Sequence, residues 1–227
     1  MTASNKLFIV ATPIGNYDDI SLRALNVLKE VDFIICEEFK EAKRLLSHFQ
    51  INKELVTLNE HNEKESSQET FNVIKNGKSA ALISDCGTPL FSDPGTSLVQ
   101  LCIDAKIDVV PIPGASSLLP ALVGSGFELG KFYYAGWFSP KSDIRKKELL
   151  RLKAIKELIV LMETPYRLSA ILADVSKIFG AATQICVAFN LTLPTERFYR
   201  GKVEEVLKTV QEKKLKGEFV LLINNRN

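Results

Sequence analysis

The chain has 227 residues, 46% of them hydrophobic and 25% charged, a balance that supports a packed core and excludes intrinsic disorder as the main state. Twenty-nine Lys+Arg stand against 27 Asp+Glu, a net charge of +2, so no global field marks a nucleic-acid coat protein or an acidic scaffold, and any basic surface is local. The longest apolar runs fall far short of the roughly 20 residues that a bilayer span requires, and no membrane span is expected.

Residues 1–6 carry no basic n-region and lead straight into an apolar β-branched run, which is not the layout of a signal peptide; a cytoplasmic protein is expected. From there, short β-branched segments alternate with segments of helical period. Strands are predicted at 7–12, 33–37, 55–58, 80–84 and 109–112, with helices at 21–30, 41–48, 66–75 and 96–105, the pattern of a largely parallel sheet. Pro111, Pro113 and Gly114 then punctuate the chain, and the boundary between domains 1–113 and 114–227 is set there. Beyond it, strands are predicted at 132–137, 158–162, 184–189, 197–200 and 219–223, and helices at 141–153, 166–179 and 203–213. The third and fourth of these strands are close enough in sequence to be antiparallel. The expected fold is two consecutive α/β domains, a mainly parallel five-stranded N-terminal sheet followed by a mixed C-terminal sheet. Cys36, Cys86, Cys102 and Cys186 are scattered, three of them in apolar stretches, without a Cys-x-x-Cys and with only two histidines in the chain. Reduced thiols are expected and no metal site.

Three predicted strand exits stand out. Residues 11–21 hold a Pro/Gly turn before Ser21, a plausible N-cap. Residues 84–95 hold two turns, Gly-Thr-Pro and Asp-Pro-Gly, more backbone control than a simple connection needs. Residues 113–117, Pro-Gly-Ala-Ser-Ser, are small enough for a ligand to approach the backbone and could cap a following helix. In a parallel sheet these exits share one edge and converge on a cleft at its carboxyl ends. No Gly-x-Gly-x-x-Gly and no Walker loop occurs, so the usual dinucleotide and triphosphate fingerprints fail.

The motifs Ala-Thr-Pro-Ile-Gly-Asn-x-x-Asp-Ile-Ser-x-Arg-Ala-Leu at 11–25, Ile-Ser-Asp-x-Gly-Thr-Pro-x-x-Ser-Asp-Pro-Gly at 83–95 and Pro-Gly-Ala-Ser-Ser at 113–117 are accompanied by His61-Asn62-Glu63, Glu163-Thr164-Pro165-Tyr166-Arg167-Leu168 and Lys216-Gly217-Glu218-Phe219-Val220-Leu221. Together they resemble the ribosomal small-subunit RNA 2′-O-ribose (cytidine) methyltransferases of the tetrapyrrole (corrin/porphyrin) methylase superfamily, over essentially the whole chain. The resemblance implies a tetrapyrrole-methylase-like pair of domains with S-adenosylmethionine in the cleft between them. It further implies a ribose of small-subunit ribosomal RNA as acceptor, and a homodimer. Pro13, Thr88, Pro89, Leu90, Phe91, Ser92, Ser116 and Ser117 match its cofactor-contacting positions. Met162 and Phe219 match its adenine pocket; without the resemblance, apolar residues in strands read as plain core.

The chain also departs from the resembled pattern. Where that pattern has Arg-Glu-Leu-Thr-Lys-x-x-Glu, residues 189–196 read Phe-Asn-Leu-Thr-Leu-Pro-Thr-Glu, keeping Thr192 and Glu196. Glu37-Glu38-Phe39-Lys40 replaces Glu-Asp-Thr-Arg, and the chain stops at Asn227, where many members of the family continue with a small helical region.

Methylating a ribose hydroxyl needs a group to take its proton, and Glu38, His61 and Glu63 are the candidates, as a set, on loops expected to overhang the cleft. Residues 141–156 hold seven Lys/Arg less two acids, +5, and predict a helix with Leu149, Leu150, Leu152 and Ile155 inward. Its outward cations, Arg145, Lys146 and Lys147 among them, read as either a solvated face or an RNA phosphate track. Phe127, Phe132, Tyr133, Tyr134, Trp137 and Phe138 are either second-domain core or a dimer patch. A methyltransferase of a tetrapyrrole or other small molecule, or a catalytically impaired relative that binds the cofactor, remains the alternative reading.

Overall fold

Five short strands open the chain, each but the last followed by a helix: β1 (Lys6–Val10), α1 (Leu22–Glu30), β2 (Phe33–Cys36), α2 (Phe39–His48), β3 (Glu54–Thr57), α3 (Glu63–Lys75), β4 (Ala80–Ile83), α4 (Thr96–Asp104) and β5 (Asp108–Ile112), in a computed structural model that describes residues 5–91 and 93–226. The strands pair in the order β3-β2-β4-β1-β5, every pair parallel. The central strands are Phe-Ile-Ile-Cys and Ala-Ala-Leu-Ile, apolar at every position because helices cover both faces. Alternation divides them cleanly. Ile34, Ala81 and Ile83 pack with Ala24 and Leu28 of α1 and Leu45 of α2, while Phe33, Ile35 and Leu82 pack with Phe71 and Ile74 of α3 and Leu98 of α4. Ser21 caps α1 as expected, its Oγ accepting from the Ala24 amide at 3.0 Å.

The chain divides into two compact units between Ser116 and Ser117. The second contains α5 (Leu118–Ser125), β6 (Phe132–Trp137), α6 (Ser142–Leu152), β7 (Leu158–Glu163), α7 (Leu168–Phe179), β8 (Gln184–Phe189), β9 (Arg197–Lys202), α8 (Val203–Glu212) and β10 (Phe219–Asn224). Its sheet runs β6-β7-β10-β8-β9 and is mixed: β6 is parallel to β7, while β10 is antiparallel to both neighbours and β8 is antiparallel to β9. Leu149 of α6, Leu168 and Leu172 of α7 and Val203 and Val206 of α8 bury Ile159, Leu161, Ile185, Val187 and Leu221 of the sheet. The helix α5 was covered by no predicted range. It packs on β8, β9 and β10, its C-terminal carbonyls Gly124 and Ser125 capped by the Arg200 guanidinium.

One expectation about this unit is corrected by packing and one alternative is decided. Leu150 is 61% exposed, because α6 turns only Leu149, Leu152 and the Arg145 side chain inward. Phe138 lies in the core and leaves the aromatic patch, whereas Phe132, Tyr133 and Trp137 of the edge strand β6 are exposed. Among the described residues no helix is long and apolar enough to cross a membrane.

Candidate functional site

The exits of β1, β4 and β5 are stitched together at the carboxyl edge of the first sheet. Thr12, just past β1, exchanges backbone hydrogen bonds with Gly87: its amide donates to the Gly87 carbonyl at 2.8 Å and its carbonyl accepts from the Gly87 amide at 3.0 Å. Its buried hydroxyl donates to the Ser84 carbonyl at 3.1 Å, and the Thr88 hydroxyl donates across to the Ala115 carbonyl at 3.3 Å. Two glycines permit this approach. Gly87 has φ +83°, and a Cβ there would lie 3.3 Å from Ile14 Cγ2; a Cβ on Gly114 would lie 3.0 Å from the Cβ of Ala11. Leu90 holds φ +69° without being glycine, a conformation that the surrounding bonds must maintain.

Of the expected cofactor contacts, Pro13 and Pro89 are buried in these loops, Thr88 and Phe91 are exposed, Leu90 and Ser116 are half-buried, and Ser92 lies outside the described residues. Ser117, half-buried, occupies the N-cap position of α5. Met162, half-buried near the end of β7, accepts a hydrogen bond at Sδ from Tyr134 Oη at 3.5 Å. Phe219 is 5% exposed, its side chain packed in the core of the second unit.

The same sheet edge is acidic. Continuing the register Ile35↔Leu82 by a few residues brings Glu37 and Glu38 beside Ser84 and Asp85, and the Glu38 amide donates to Asp85 Oδ1 at 3.2 Å. Burial pushes the Glu37 carboxyl above its ordinary value, and the nearby Asp85, Asp93, Glu38 and Glu60 add to the shift. Burial likewise raises Asp85, reinforced by Glu38, Glu41 and Asp93 and opposed by the Glu38 amide. Neither Glu37 nor Asp85 was among the candidate bases, since only the adjacency of β2 and β4 reveals that they meet.

The expected bases fare differently. Glu63 is corrected: its Oε1 accepts from the amides of Gly95 and Ser97 at 3.0 and 3.3 Å, capping the start of α4, and these bonds hold the carboxyl below its ordinary value. A carboxylate stabilised in this way is a poor proton acceptor. Glu38 is exposed at the N-cap position of α2. His61 is 86% exposed on an Asn59–Asn62 turn, its Nε2 3.6 Å from the Glu60 carboxylate. Cys36, Cys102 and Cys186 are buried, their thiols pushed up to about 11 by burial, whereas Cys86 is exposed.

In the second unit Arg145 is corrected as a phosphate contact. It is 5% exposed, and its Nε and Nη2 donate to Asp174 Oδ2 at 2.9 and 2.8 Å. Lys146 and Lys147 are exposed as expected. The loop that departs from the resembled pattern closes on the residues it keeps: the Thr192 amide donates to Glu196 Oε2 at 2.7 Å. Phe189, at the pattern's arginine position, is buried in the core. The fully buried Glu163 pairs with Arg167 at 2.8 Å and fixes the short 3-10 turn Pro165–Arg167, on which Tyr166 stands exposed under Lys216 Nζ.

Residues 6–207 match the family of tetrapyrrole (corrin/porphyrin) methylases. The chain is a tetrapyrrole methylase. Within the curated proteins this methylase is 40% identical, over 96% of its length and 78% of the relative's, to the ribosomal RNA small subunit methyltransferase I of Synechocystis sp.. With the protein of the same name from Thermotoga maritima it shares 39% identity over 97% of its own length and 99% of the relative's. In fold the methylase resembles uroporphyrin-III C-methyltransferase from Thermus thermophilus, solved with S-adenosylhomocysteine, at a TM-score of 0.64 and 17% identity over 96% of each chain.

Proposed function

We propose that this methylase transfers a methyl group from S-adenosylmethionine to a ribose 2′-hydroxyl of small-subunit ribosomal RNA. The observation that carries this reading is the near-complete alignment with ribosomal RNA small subunit methyltransferase I, at 39% identity over 99% of the Thermotoga protein. Likeness to the tetrapyrrole-modifying Thermus enzyme is confined to 17% identity, so a small-molecule acceptor has much weaker support.

The residues at the sheet edge suit the cofactor. The edge offers backbone carbonyls and amides of a glycine-permitted loop, hydroxyls at Thr88 and Ser116, and carboxylates that favour a cation. Pro13, Thr88, Pro89, Leu90, Phe91, Ser92 and Ser116 would hold it. When bound, it supplies an electrophilic methyl on a sulfonium. The chain's own task is then to orient the ribose and take its proton. Glu37 and Asp85, whose proton affinity the fold raises, join Glu38 and His61 as candidate acceptors, and Lys146 and Lys147 are candidate RNA contacts. A homodimer is part of the same proposal, through the exposed edge strand β6 with its outward Phe132, Tyr133 and Trp137.

Calorimetric titration with S-adenosylmethionine, followed by transfer of labelled methyl to isolated small ribosomal subunits and nucleoside analysis of the product, tests the function. A 2′-O-methylated nucleoside is expected. Methyl on a base alone, or none on the RNA, would overturn the assignment. Light scattering is expected to report twice the 25.3 kDa of one chain.

A further inference from the structure

A groove of about 220 Å³ runs between α6 and α7, lined by Lys146, Lys147 and Leu150 from the first helix and Asp174, Lys177 and Ile178 from the second. These positions are the facing stripes of the two helices, spaced three and four residues apart along each. The single acid in the lining is already engaged: Asp174 Oδ2 accepts two hydrogen bonds from the buried Arg145. Among the described residues none of the three lysines takes part in an ion pair, so three lysine side chains border the groove outside any salt bridge. Between them Leu150 holds an apolar side chain 61% exposed beside Ile178. A solvated helix face needs neither the exposed leucine nor the neutralised aspartate.

Resting on the reading of the substrate as RNA, we propose that this groove grips an unpaired stretch of that RNA, phosphates on Lys146, Lys147 and Lys177 and a base laid on Leu150 and Ile178. Charge complementarity selects an anionic occupant. The alternation of cationic rim and apolar floor selects one that presents a phosphate and an apolar ring face within one short repeat, which is a single strand with its bases unstacked. An RNA duplex shows its phosphates but hides its base faces and would leave the floor unused. Arg145 is a positioning residue here: it touches no RNA, but by binding Asp174 it joins α6 to α7 and removes the negative charge that would repel phosphate.

The test titrates the full chain with a fluorescent single-stranded oligoribonucleotide across a salt series. The triple variant Lys146→Glu, Lys147→Glu, Lys177→Glu is expected to bind about tenfold more weakly or worse and to lower the salt slope by about 2, roughly 0.7 for each of three phosphates. Lys177→Glu alone is expected to produce part of that loss, which a phosphate track on α6 alone would not. Leu150→Gln, an exposed position that leaves the charge unchanged, is expected to weaken binding severalfold at constant slope. An unchanged slope in the triple variant, an unaffected Leu150→Gln, equal affinity for duplex RNA, or preferential capture of an acidic peptide would each overturn the groove. Methyl transfer to small subunits is measured separately. A wild type that methylates while the triple variant binds RNA normally removes the groove and leaves the function standing. Lysine-dependent RNA affinity without methyl transfer does the reverse.

Discussion

At the carboxyl edge of the first sheet Glu37, Glu38, Asp85 and Asp93 gather with no lysine or arginine ion-paired to any of them among the described residues, whereas between α6 and α7 three lysines surround an aspartate already held by Arg145. Both arrangements are unbalanced, in opposite senses, and a net charge of +2 conceals them. The means differ as well. In the parallel sheet every strand ends at the same edge, so loops carry the acids and the tight turns; in the mixed sheet strands end at both edges, and the unbalanced charge comes from the facing stripes of two helices. The proposed function, transfer from a cationic methyl donor to a polyanion, would draw on both signs.

That contrast can be broken first at Arg145. Removing it by Arg145→Ala leaves a buried carboxylate at Asp174 without its partner, and chemical denaturation is expected to show a loss of about 3–5 kcal/mol. Replacing both residues by leucine should recover most of that stability, because no charge is then left buried.

On the acidic side, Thr88 and Pro89 replaced together by bulkier residues should abolish S-adenosylmethionine binding in calorimetry, a loss of about 100-fold or more, equivalent to about 2.7 kcal/mol. Circular dichroism should remain that of the native fold. Retained tight binding would detach the cofactor from this loop.

A smaller effect separates structural from reactive carboxylates. Glu63→Gln is expected to cost about 1 kcal/mol at neutral pH, since it weakens the acceptor that caps α4. Because the folded-state pKa of Glu63 is lowered, its contribution is full above the unfolded value of about 4.3 and disappears as the pH falls through the lower folded value. The cost measured in denaturant should therefore shrink in acid.

Smallest, and opposite in sign, is Glu37→Gln. The Glu37 carboxyl titrates at a raised pKa, so its ionised form is disfavoured in the folded state at neutral pH. The variant should melt slightly higher than the wild type above the folded pKa, and the gain should vanish below the unfolded value of about 4.3, where both states are protonated. A lower Tm at neutral pH would mean that the acidic edge contributes stability and would undo the comparison.

What the amino-acid order determined by itself is local. The all-apolar strands Phe33–Cys36 and Ala80–Ile83, the Ser21 cap and the crowded turns at 84–95 and 113–117 were legible, because period, capping and the φ demands of glycine and proline act over a few residues. Tertiary structure decided whatever depends on contacts between distant segments. Glu37 and Asp85 meet only because β2 pairs with β4; Glu63 is a cap because α4 begins beside it; Arg145 is buried because Asp174 lies opposite; and Lys177 faces Lys146 and Lys147 only once α6 and α7 pack. Each of these separates residues of similar local appearance, an exposed base from a cap and a phosphate contact from a buried ion pair, by burial and partner. Neither is a property of a residue and its chain neighbours: both are set when the strands take their order and the helices close over them.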